Sequence, residues 1–123
     1  MKELAYISTP DGLVFDDDVL GVLQVSRRRN LRLGITGLLL YDAEHFFQLI
    51  EGEDAVVDTL FRAIAADTRH RDVRVLSEGP IARRSFAAWS MDYRRIDARL
   101  HDMRLLTGER RERVGPTLAH MFG

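Results

Sequence analysis

Ile35-Thr-Gly-Leu-Leu-Leu-Tyr41 and Phe46-Phe-Gln-Leu-Ile50, joined by Asp42-Ala43-Glu44-His45, form the stretch that decides the fold. Two short apolar runs around a polar-rich linker predict a β-hairpin, and their apolar density implies a covered sheet. Downstream, after Glu51-Gly52, the residues Val56, Val57, Leu60, Phe61 and Ile64 recur at 3.6-residue spacing and predict a helix, broken by Asp67-Thr68-Arg69-His70. Upstream, Asp16-Asp17-Asp18 precedes Val19, Val22, Leu23 and Ser26 at helical spacing. Carboxylates suit the positive end of that helix and Arg27-Arg28-Arg29-Asn30 its negative end. Leu4 to Ser8 predicts an opening strand, closed by the turn residues Thr9-Pro10-Asp11-Gly12. Val73 to Leu76 and Phe86 to Tyr93 predict two more strands, connected through Gly79-Pro80 and Arg83-Arg84. In the last of them Trp89, Met91 and Tyr93 share a face. The order β-α-β-β-α-β-β predicts an α+β, ferredoxin-like fold with two helices on one face of a mixed sheet. Residues 1–96 read as one domain and residues 97–123 as a cap of one or two short helices.

Composition narrows the function. A chain of 123 residues, 46% hydrophobic, suits one domain with its own core. Its 18 basic and 19 acidic side chains are interspersed and nearly cancel, so no broad field draws it to nucleic acid or a membrane surface. The lack of cysteine excludes a disulfide scaffold, a thiolate metal site and a thiol nucleophile. His45, His70, His101 and His120 show no metal-ligand spacing, and no nucleophile elbow or carboxylate pair is present. Gly34-Ile-Thr-Gly37 is too short for a phosphate loop and reads as a turn entering a strand. An enzyme is not expected, nor a metal. With no signal-like start and no run of about 20 apolar residues, the expected location is cytoplasmic.

A few polar groups fall where apolar ones are expected. Gln48 stands between Phe47 and Leu49 in a buried strand, so its amide needs partners or costs about 1 to 3 kcal/mol. Its plainest account is a core glutamine bonded to backbone or water, just as Tyr6 could be any half-buried tyrosine. Asn30 would by default cap the first helix. Yet Val22, Ser26 and Asn30, at i, i+4 and i+8, take one helix face from apolar to hydroxyl to amide, which suits a planar heterocycle with one polar edge. Ile64 would be the opposite wall, with Asp67, Arg69 and His70 at its end. Trp89 and Met91 read as core packing, and the arginines at 27–29 and 83–84 as solvated surface.

Read together, Tyr6-Ile-Ser8, Asn30-Leu-Arg-Leu-Gly-Ile-Thr-Gly-Leu-Leu-Leu-Tyr41, Phe46-Phe-Gln48-Leu-Ile-Glu-Gly52, Asp67-Thr-Arg-His70 and Phe86-Ala-Ala-Trp-Ser-Met91 resemble the BLUF domain, in order and correctly spaced from about residue 3 to residue 95. The resemblance implies a blue-light receptor whose flavin ring lies between the two helices. It implies that Asn30 holds the carbonyl and imide edge, that Ser26 supports Asn30, and that Val22, Phe46 and Ile64 give apolar contacts. Asp67, Arg69 and His70 would lie near the flavin. Tyr6 and Gln48 would sit at the reactive edge, with Trp89 or Met91 next to Gln48. In that scheme excited flavin takes an electron and then a proton from Tyr6 through Gln48, whose amide ends rotated or tautomerised and shifts the absorption to the red. Arg29, beside Asn30, departs from family members with a small polar residue there. FAD is the implied cofactor, with FMN or riboflavin as alternatives, and output would reach an unknown protein partner through the C-terminal strand and helices. The apolar residues of those helices suggest a homo-oligomer. The rival readings are a small acyl-phosphate-type hydrolase and a pigment-free interaction module on the same fold.

Overall fold

The three central strands are buried on both faces, alternate side chains entering two different cores, and two helices cover one side of the sheet. The computed structural model describes residues 1–11, 16–41, 44–88 and 92–95, and for residues 16–19, 22 and 92–95 it describes the backbone only. The elements are β1 (Lys2–Pro10), α1 (Asp16–Leu33), β2 (Thr36–Tyr41), β3 (Phe46–Gly52), α2 (Asp54–Ala65), β4 (His70–Pro80) and β5 (Asp92–Arg95). This is the predicted α+β order. The sheet runs β4-β1-β3-β2-β5, antiparallel throughout except for the parallel pairing of β2 with β5. Each helical crossover skips a neighbour, so β1 and β3, distant in sequence, lie side by side at the centre, as in ferredoxin-like folds.

Alternation sorts the side chains. Leu4 and Tyr6 of β1, Leu39 and Tyr41 of β2, and Ile50 of β3 pack with Leu23 of α1 and with Val57 and Leu60 of α2. Ala5, Ile7, Leu38, Leu40, Phe47 and Leu49 form the second core on the other face, with Phe86. Both helices therefore share one face of the sheet, and Gln48, two residues from Phe46 and from Ile50, points to that same face.

Several boundaries differ from expectation for local reasons. Asn30 does not cap α1, which continues three residues further to Leu33. Closure falls instead to Gly34, whose φ of 69° lets the Ile35 N–H donate to the Asn30 carbonyl at 2.9 Å. That six-residue closure needs a left-handed residue after the helix, which glycine supplies without penalty. β4 spans 11 residues rather than four, with irregular pairing to β1 between Ala5 and Tyr6 and between Ile7 and Thr9. Asp72 takes a positive φ of 53° within that stretch. Phe86 is not in a strand: it is buried in the connection after β4, and the last strand begins only at Asp92. Trp89, Met91 and residues 97–123 lie outside the described residues. Among the described residues no helix is long and apolar enough to cross a membrane.

Gly37 is required by the β2–β3 pairing. A Cβ built there would lie 1.9 Å from the backbone oxygen of Leu49, which cannot swing aside as a side chain would. Gly37→Ala should therefore destabilise the fold by about 3 kcal/mol, the upper part of the overpacking range, as read from the urea midpoint. A midpoint equal to that of the natural sequence would show that the hairpin tolerates the added methyl.

Candidate functional site

Tyr6 and Gln48 face each other across the two central strands. Their positions are paired in the β1–β3 register, and Gln48 is in turn paired with Leu39 of β2. All three side chains rise from the helix face, where the Tyr6 hydroxyl donates a hydrogen bond to Oε1 of Gln48. Both side chains are nearly fully buried, 4% exposed for Tyr6 and 6% for Gln48. Burial pushes the Tyr6 hydroxyl well above the ordinary tyrosine range, while the Arg29 cation pulls weakly the other way. The phenol is therefore neutral at any working pH. Oε1 of Gln48 accepts from Tyr6, and its NH2 group can only donate.

Around this pair a cleft opens between the helices, with about 680 Å³ of empty space, part of it continuous with solvent. Leu39, Phe46 and Ile64 give it apolar walls, and Tyr6, Ser26, Arg29, Gln48, Asp67, Arg69 and His70 give polar edges. An apolar slot with a few converging polar groups suits a flat heterocycle. Phe61 steadies Tyr6 from α2, its ring centroid 5.6 Å away. His70 meets the Tyr6 ring edge-on at 6.3 Å.

The loop after α2 is held by its own charges. Asp67 accepts the Arg69 backbone N–H at 2.9 Å and grips the guanidinium through both carboxylate oxygens, the shortest contact being 2.6 Å. These bonds from Arg69 lower the Asp67 carboxyl to about 2, so it is ionised under ordinary conditions. His70 opens β4, with Nδ1 2.9 Å from the Ser8 hydroxyl and Nε2 2.6 Å from the Ile64 carbonyl. A carbonyl can only accept, so Nε2 carries the proton and donates. Three elements thus meet at one imidazole.

The sequence-derived residues are placed as follows. Tyr6, Ser26, Phe46, Gln48, Ile64, Asp67, Arg69 and His70 all line the cleft. Asn30 is fully buried behind Arg29, whose Nε and Nη2 make long contacts of 3.4 Å to its Oδ1, and it borders instead a second hollow with Thr36 and Arg84. The Val22 side chain, Trp89 and Met91 fall outside the described residues. Two lining residues were missed, Leu39 and Arg29. Arg29 is not solvated surface: it is half-buried, and desolvation lowers its guanidinium, which remains a cation. Its signal was available, because Ser26, Arg29 and Asn30 stand at i, i+3 and i+4. Arg84, also expected in solvent, donates to the Thr36 hydroxyl at 2.9 Å and to the Glu51 carbonyl at 3.0 Å.

Fold and cleft define the class: a ferredoxin-like α+β domain with a small-molecule site between its two helices. The profile of the family described as "Sensors of blue-light using FAD" matches residues 1–92, and the chain belongs to this BLUF family of flavin-binding blue-light sensors. The solved dark-state structure of the BLUF protein BlrB superposes with a TM-score of 0.81 at 35% identity, covering 98% of this chain and 96% of that one. A photoactivated adenylate cyclase subunit alpha of Euglena gracilis is 44% identical over 73 residues, 59% of this chain. The blue light- and temperature-regulated antirepressor BluF of Escherichia coli is 39% identical over 82 residues, 66% of this chain. These stretches amount to 7% of the cyclase subunit and 20% of the antirepressor, so the chain matches only a small part of either relative. Residues 1–92 are accordingly a domain of this photosensor family.

Proposed function

We propose that this domain reports blue light to a protein partner by rearranging the Tyr6–Gln48 hydrogen bond beside a non-covalently held flavin. The observation that carries the reading is that hydrogen bond, buried at the wall of the cleft. A flavin bound there supplies the absorption and, once excited, a strong one-electron oxidant. Phe46, Leu39 and Ile64 would sandwich the ring plane, while Ser26 and Arg29 would serve its polar edge. FAD is the form named by the family description, and FMN and riboflavin share the ring that these residues would grip.

The hydrogen bond supports the following sequence of events. With a flavin in the cleft, Tyr6 would be the electron donor, and its phenol, made far more acidic by that loss, would pass its proton to Gln48, its hydrogen-bond acceptor. Electron and proton then return to Tyr6. Gln48 is left rotated or in its imidic tautomer, and the donor it formerly turned toward the flavin is replaced or moved. A changed hydrogen bond to the ring shifts the absorption red without any covalent bond to the protein. A hydrolase reading would need Arg69 and Asn30 to converge on a phosphate. Arg69 is instead gripped by Asp67, and Asn30 lies behind Arg29.

The test is an absorption spectrum of the purified, flavin-loaded chain before and during blue illumination. The expected result is a flavin band that moves slightly red and recovers in the dark. Protein that binds no flavin, or a spectrum indifferent to light, would reject the reading.

A further inference from the structure

Three residues beyond Gln48, β3 carries Glu51, whose carboxylate is fully buried on the opposite face of the sheet. Its partners are neither solvent nor a lone cation. Oε1 accepts the Phe86 backbone N–H at 2.7 Å and the Thr36 hydroxyl at 2.8 Å, while Oε2 accepts the Ser85 backbone N–H at 3.0 Å. Arg84, the residue before, donates to Thr36 Oγ1 and to the Glu51 carbonyl. The connection after β4 is thereby bound to the central strand through one side chain and its neighbours. Phe86, immediately after, inserts into the core of that face against Phe47 and Leu49.

We propose that Glu51 is a positioning residue that makes the segment 84–88 follow β3, so that the state of Gln48 on one face is felt by the chain on the other. The inference rests on the light-switch reading above. Three hydrogen bonds converge on one buried side chain, two of them from consecutive backbone amides, so the segment is held to β3 at several points at once. A small displacement of β3 therefore carries Ser85 and Phe86 with it instead of slipping past them. From Phe86 the sequence runs through Trp89 and Met91 to β5, which pairs in parallel with β2, the other neighbour of β3. A perturbation at Gln48 thus has a mechanical route out of the cleft, and the two-state element that coupling requires is the Gln48 amide itself.

Glu51→Gln tests this. The substitution keeps the shape but turns an amide NH2 toward backbone donors, so at least one of the two N–H bonds is lost. The measurement is residue-resolved amide hydrogen exchange on the full flavin-loaded chain, in darkness and under steady blue light, with the absorption spectrum recorded on the same sample. In the natural sequence light should change the exchange of the Ser85 and Phe86 amides by about tenfold, the scale of a modest local opening. In Glu51→Gln the red shift should persist in full while that light–dark difference disappears. A purely structural role would speed exchange equally in light and dark and leave the difference intact, which would overturn the proposal. Should Glu51→Gln fail to fold, Thr36→Val removes one bond to the same carboxylate and should at least halve the difference, and an undiminished difference would overturn it. A full red shift with unchanged amides in the natural sequence overturns this inference alone, whereas a spectrally inert chain overturns the light-switch reading and this one with it.

Discussion

Gln48→Leu is expected to keep the flavin and lose the light-induced red shift altogether. Leucine fits the site by volume and polarity, since Leu39 is paired with position 48 on the neighbouring strand and Phe46 and Ile50 flank it on the same face. The walls that would grip a ring are untouched. What disappears is the acceptor for the Tyr6 hydroxyl and the amide that can exchange donor for acceptor. An aliphatic side chain offers no second hydrogen-bonding state, however efficiently Tyr6 is oxidised. Leaving a buried hydroxyl unpaired costs about 1 to 3 kcal/mol, offset in part by the added apolar burial, so a modest fall in the urea midpoint should accompany the spectral loss. The decisive measurement is the light-minus-dark spectrum at matched flavin content. A normal red shift from Gln48→Leu would remove Gln48 from the switch.

How much of this was legible in the sequence depends on whether a signal is local. The apolar runs at 35–41 and 46–50 and the stripe from Val56 to Ile64 declare their elements because a bounded apolar run and 3.6-residue spacing are properties of neighbouring residues. Tyr6 and Gln48 were each suspicious alone. Their contact depends on the pairing of β1 with β3 across 42 positions, which no local pattern encodes. The extension of α1 past Asn30 was missed because three arginines and an asparagine look like a helix end, whereas Gly34 supplies the true stop. Phe86 was read as strand because it is apolar and introduces an alternating stretch. It is buried for another reason, the attachment of residues 85 and 86 to Glu51 from 35 residues away. Arg29 and Arg84 look like surface residues in the sequence because composition alone cannot separate a solvated guanidinium from one that spans two elements.

Tyr6→Phe should separate binding from switching even more sharply, because it deletes one oxygen and nothing else. The ring can keep its packing against Phe61 and His70, so the cleft should hold flavin as before. Phenylalanine is a much poorer electron donor than a phenol and has no proton to follow the electron. Tyr41, the other tyrosine whose side chain is described, packs with Phe46 in the helix-side core and is not part of the cleft lining. The expected result is a yellow protein whose spectrum is the same in light and dark, with stability lowered by about 1 kcal/mol for the lost hydrogen bond. Its flavin fluorescence should be longer lived than in the natural sequence, since electron transfer from Tyr6 competes with emission. If Tyr6→Phe reddens under blue light with undiminished yield, the electron comes from elsewhere, and the Tyr6–Gln48 hydrogen bond serves to place the glutamine rather than to drive it.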